Sequence, residues 1–161
     1  MVSSNDADKE LVSLGLELPP PVTPFGEYVE AVQVGNLLFL TGALPVLGHD
    51  MKYRGRVGAE FDTTQGRAAT RLAALNALVT AKEHLGSLNR IKRVVRIGVM
   101  LATSGDQVEH PKVADAASEL FRDVFGSAKN PVRLVYGVAS LPFNAPVELD
   151  VIFEVAEQAP D

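Results

Sequence analysis

Residues 147 to 155 read VELDVIFEV. Val147, Leu149, Val151, Phe153 and Val155 alternate with Glu148, Asp150, Ile152 and Glu154. Successive side chains of a strand point to opposite faces, so this alternation predicts a strand with one apolar and one semi-polar face. A chain containing such a strand must cover the apolar face with a second layer. It must also give the other face solvent or a partner.

The covering layer is legible upstream. Val113, Ala116, Ala117, Leu120, Phe121, Val124 and Phe125 recur at i, i+3, i+4, i+7, i+8, i+11 and i+12, the stripe of a core-facing helix. Pro111 suits its first turn and Gly126 its end. Another helix opens at DTTQ, where Asp62 and Gln65 can form a reciprocal cap. Leu72, Leu75, Leu78 and Val79 are expected as its apolar stripe, with Gly86 as a left-handed stop.

The remaining strands follow from period two. Residues 28–45 read as a hairpin turning at Gly35 and Asn36. Residues 91–104, IKRVVRIGVMLATS, place Val95, Ile97, Val99 and Leu101 on one face. Residues 48–58 are glycine-rich and polar, a loop with room for a short edge strand near Met51 to Tyr53. A strand over 133–141 precedes the last one. The proline-rich segment 19–26 reads as an extended entry loop, since proline lacks the N–H a helix interior needs. The expected order is β-β-(β)-α-β-α-β-β. This is an α+β domain in which two helices cover one side of a mixed sheet and Glu148 lies on the other. Residues 1–18 are expected to form an N-terminal arm or short helix, 19–157 a single domain, and 158–161 a tail.

Composition narrows the function classes. The formal net charge is −5, and no basic cluster is longer than RIKRVVR, itself part of a strand, so nucleic acid is not the expected partner. With no cysteine, disulfides, thiolate nucleophiles and zinc–sulfur sites are excluded. His49, His84 and His110 have no metal-ligand spacing. No apolar run is long enough to span a membrane and the N-terminus lacks a secretory pattern, so a cytoplasmic location without membrane association is expected.

Two charges interrupt apolar strands: Arg133 in NPVRLVYGVASLP and Glu148 in VELDVIFEV. The spacing of Pro-x-Arg, then Leu-Pro, then a strand glutamate, together with YVEAVQVGNLLFLTGALP and the helix–strand–helix middle, resembles the YjgF/YER057c/UK114 family, also called the Rid family of imine deaminases. The form LPFNAPVE is similar to a longer subgroup. The resemblance implies a fold like chorismate mutase of the bacillus type. In that fold three chains close their sheets into a barrel, with ligand clefts between adjacent subunits. It also implies hydrolysis of enamines and imines to 2-oxo acids and ammonia, without a cofactor.

On that resemblance, Arg133 matches the arginine that holds the carboxylate of a 2-imino or 2-oxo acid. A guanidinium suits this by its planar paired donors. A structural ion pair is the competing reading. Glu148 matches the carboxylate that positions water at the C=N carbon; a solvent-facing or salt-bridged strand charge is its alternative. Tyr28 matches a tyrosine at the cleft mouth, and an ordinary strand-start tyrosine competes. Thr41 stands in place of a family serine, although threonine at a strand end needs no ligand to explain it. Leu134 and Val135 stand where many members have Ser and Cys, and Ala43 where glutamine is frequent. Val135 and its neighbours should therefore make the pocket wall apolar. Rival readings are a trimeric binder of small carboxylates without catalysis, an endoribonuclease, and, by fold alone, a chorismate mutase.

Overall fold

The computed structural model describes residues 6–157. A short helix, α1 (Ala7–Ser13), is followed by strands β1 (Ala31–Val34) and β2 (Leu37–Leu40), then the small strands β3 (Val46–Leu47) and β4 (Asp50–Met51). Helix α2 (Thr63–Leu85), strand β5 (Ile91–Ala102), helix α3 (His110–Phe125), and strands β6 (Val132–Val138) and β7 (Val147–Val155) complete the fold. The main sheet runs β1-β2-β7-β5-β6, with β5 and β6 parallel and the other pairs antiparallel. It is a mixed sheet in an α+β domain. The tail expected at 158–161 lies outside the described residues.

The last strand behaves as its alternation requires. Val147, Leu149, Val151, Phe153 and Val155 are buried under the helices, and Asp150 is exposed on the other face. Every residue of the predicted α3 stripe is buried, and Phe121 and Phe125 meet Phe153 edge-on at 6.1 and 6.2 Å. In α2 the capping box of Asp62 and Gln65 forms in both directions, and Gly86 closes the helix at φ 82°.

Three local expectations change. The buried face of α2 is built mainly from Ala69, Ala73, Ala74, Ala77 and Ala81, while Leu72 and Leu75 are half-buried at its margin. Small residues let α2 lie close on the sheet and on α3. In β5, register shifts between Ile91 and Arg93 and between Val94 and Arg96 bury Val94 in place of Val95. The edge strand expected near Met51 instead pairs Asp50–Met51 with Val46–Leu47 as a separate two-stranded sheet.

The sheet face opposite the helices carries Val32 and Val34 of β1, Phe39 of β2, and Val132, Leu134 and Tyr136 of β6, all largely exposed. Among the described residues no helix is long and apolar enough to cross a membrane.

Candidate functional site

The end of the sheet where β2 and β7 meet is built by backbone geometry. Beyond β2, the Thr41 N–H donates to the Glu30 carbonyl at 2.8 Å, and Ala43 exchanges two hydrogen bonds with Leu149. These bonds carry the chain from the β1–β2 ladder onto β7. Gly42 lies between them. A Cβ at Gly42 would overlap Glu148 Oε1, so the glycine makes room for the carboxylate.

Around this point lies a cavity of about 330 Å³ whose wall includes Tyr28, Glu30, Thr41, Asn76, Phe143 and Glu148. Three of the four families of contact expected from sequence thus converge: Tyr28 at the rim, Thr41 at the end of β2, and Glu148 from β7. The Tyr28 hydroxyl accepts from the Phe25 N–H at 3.0 Å, which orients the ring and leaves its own proton to donate. Burial in this mostly apolar setting raises the Glu148 pKa above the ordinary carboxylate value.

Arg133 and Val135 do not line this cavity. Arg133 pairs in register with Ile97, and its side chain lies on the helix side of β6, opposite the face that carries Glu148. Its Nη1 donates to Asp115 Oδ1 at 2.7 Å and to Ser118 Oγ at 3.1 Å, both on α3. Its Nη2 and Nε make no bond among the described residues. Val135 is half-buried against the core. Within one chain, the arginine and the glutamate therefore belong to separate places.

Two cavity residues escaped the sequence reading. Glu30 precedes β1, and one of its oxygens is buried without a donor; burial raises its pKa as well. Asn76 on α2 is 1 % exposed. Its Nδ2 donates to the carbonyls of Leu44 and Val46, each at 2.8 Å, and its Oδ1 has no partner. An asparagine amid helical alanines was the one available signal for Asn76. Among the described residues no group of His, Cys, Asp or Glu has a metal-binding arrangement.

The fold and the cavity define an α+β domain with a site of small-molecule size at one end of a half-covered sheet. The chain belongs to the YjgF family: the family model described as "YjgF/chorismate_mutase-like, putative endoribonuclease" matches residues 8–157. It is 36% identical over 156 residues to Protein TCP17 of Trypanosoma cruzi, covering 96% of this chain and 98% of that one. It is 28% identical to a 2-iminobutanoate/2-iminopropanoate deaminase of Dermatophagoides farinae, covering 85% of this chain and 92% of that one. Among solved structures, protein Atu1372 of Agrobacterium tumefaciens, described as of unknown function, is 35% identical with a TM-score of 0.86, covering 95% and 94% of the two chains.

Proposed function

We propose that this protein hydrolyses reactive imines and enamines to 2-oxo acids and ammonia. The observation that carries the reading is the Glu148 carboxylate, half-buried beside Gly42 in a mostly apolar cavity with its pKa raised. A carboxylate poised closer to neutrality can both accept a proton from water and return it. Water adds through oxygen to the imine carbon, its proton passing to Glu148. The same proton then goes to nitrogen, giving a carbinolamine. Cleavage of the C–N bond releases ammonia as the carbinol proton leaves and the C=O forms. Imine and water are fully accounted for by oxo acid and ammonia. A relative named for imine deamination supports the assignment.

The carboxylate of such a substrate needs a cation, and the cavity wall has none. Arg133 retains Nη2 and Nε for the task, and a neighbouring chain of a homotrimer would bring it to the cavity. The test generates imines in situ with an amino-acid oxidase or a threonine dehydratase and traps them with semicarbazide. We expect the protein to lower semicarbazone yield. Unchanged yield across several imines, with 2-oxo acids still bound, would favour the carboxylate-binding reading.

A further inference from the structure

The cavity is larger than the reaction centre. Its 330 Å³ is the room of about ten waters. Away from Glu148 its wall is made by Val22, Phe25, Leu44, Pro142 and Phe143. Phe25 and Phe143 touch, with ring centroids 4.6 Å apart, and Phe25 stacks on His49 at 4.4 Å.

Phe143 holds an unusual backbone. It and Asn144 have φ of 58° and 59°, a left-handed pair without glycine. For a bulky residue this costs energy and persists only where the surroundings impose it. Here they do: Arg54 Nη1 donates to the Phe143 carbonyl at 3.0 Å, and the Gly55 N–H to that of Asn144 at 2.8 Å. The clamp fixes an aromatic ring at the cavity.

Asn76 supplies the polar feature of this wall. Two backbone carbonyls take both of its N–H donors, which fixes the amide's orientation. The atom it has left is Oδ1, buried and without a donor. A buried acceptor left unmade is costly, so such an atom at a cavity wall calls for a donor from water or ligand. Glu30 presents a second unpartnered buried oxygen to the same space. No lysine, arginine or histidine lines it.

We infer that this cavity is a side-chain subsite for a large, apolar, preferably aromatic group ending in a neutral hydrogen-bond donor, with Phe25 and Phe143 as its walls and Asn76 Oδ1 as the acceptor that reads the donor. The inference rests on the imine reading for what the rest of the substrate is. It widens that reading from short-chain imino acids to ones with phenol-like or indole-like side chains.

The experiment separates the two readings. Full-length ¹⁵N-labelled protein is titrated with p-cresol and with toluene, which differ by one hydroxyl. We expect p-cresol to shift the Asn76 side-chain amide and the Ala77 and Thr80 backbone resonances. It should bind about three- to tenfold more tightly than toluene, the range one neutral hydrogen bond supplies. Phe143→Gly removes the ring yet suits the left-handed backbone, and should weaken both ligands at least threefold. Equal affinity for the two rings, shifts elsewhere, or a neutral Phe143→Gly would overturn the subsite. In parallel, pyruvate, phenylpyruvate and 4-hydroxyphenylpyruvate are titrated, with affinity expected to rise in that order. If p-cresol binds as described but no 2-oxo acid does, the subsite stands and the imine reading falls. If pyruvate binds as tightly as 4-hydroxyphenylpyruvate, the subsite falls and the imine reading stands.

Discussion

Glu148 and Glu30 line one cavity but are held there differently. Glu148 extends from a central strand into the space Gly42 leaves open, whereas Glu30 lies just before the edge strand β1. If Glu148 moves protons, Glu148→Gln should leave 2-oxo acid affinity nearly intact while slowing imine turnover by about 10²–10⁴-fold, less where water alone already hydrolyses the imine. Semicarbazone kinetics beside calorimetry give both numbers, and a glutamine variant as fast as wild type would remove Glu148 from the mechanism. Stability offers an independent check. Burial raises both pKa values above the ordinary glutamate value of 4.5, so above that pH the folded chain holds more protons than the unfolded one. Their contribution is complete below 4.5 and is lost as pH rises through the folded values. Asp6, Glu60 and Glu109 slope the other way, held low by bonds from the Lys9 and Arg56 backbone and the Thr63 hydroxyl. The comparison is therefore wild type against Glu30→Gln and Glu148→Gln. Each variant should gain on wild type in urea midpoint as pH climbs from about 4 to about 8; parallel curves would refute the buried-carboxylate assignment. At this scale the sequence named Tyr28, Thr41 and Glu148 because each stands in a strand or strand-end pattern. Glu30 and Asn76 stayed hidden because their burial arises when α2 and the entry loop close over the sheet end, a tertiary event with no local signature.

Elements were most legible where one pattern decides alone. The α3 stripe, the β1–β2 turn and the α2 cap each rest on contacts within a few residues of chain. The bulged start of β5 shows the opposite case: two register shifts exchange Val95 for Val94 at the core, and pairing with β7 decides that, not β5 itself. Likewise the alanine face of α2 is apolar enough to bury but too small to dominate a hydropathy pattern, so the larger Leu72 and Leu75 misdirected the stripe. The cap is where sequence logic and geometry meet. Asp62 Oδ1 accepts from the Gln65 N–H at 2.8 Å, and Gln65 Oε1 from the Asp62 N–H at 3.0 Å. Asp62→Ala should cost about 1 kcal/mol, within the usual span for losing an N-cap side chain. Urea denaturation reads this as a lower midpoint at unchanged slope. An unmoved midpoint would mean that α2 is held by packing alone.

At the scale of the whole molecule, the exposed face of β1, β2 and β6 is the feature a lone chain leaves unexplained. Val32, Val34, Phe39, Val132, Leu134 and Tyr136 form an apolar surface of the kind that marks an interface. A homotrimer that buries it would also explain why Arg133 and Glu148 lie on opposite sides of their own sheet. Leu134 pairs with Gly98 near the middle of that face. Leu134→Glu should therefore yield a folded species near the 17.2 kDa of one chain, where light scattering of wild type gives about three times that mass. A monomeric wild type would end the argument at once. Complementation then asks whether the site itself is shared. Arg133→Ala and Glu148→Gln chains, each inactive alone, are unfolded together and refolded as mixed trimers. If every site joins Glu148 of one chain to Arg133 of the next, an equal mixture regains about one intact site in four. If both residues served a site within a single chain, no mixture could restore any, because no chain in it carries both. Recovered imine turnover near a quarter of wild type would thus establish a composite site. None, from mixtures shown to exchange subunits, would return Arg133 to its ion pair with Asp115 and leave the cavity to act without it.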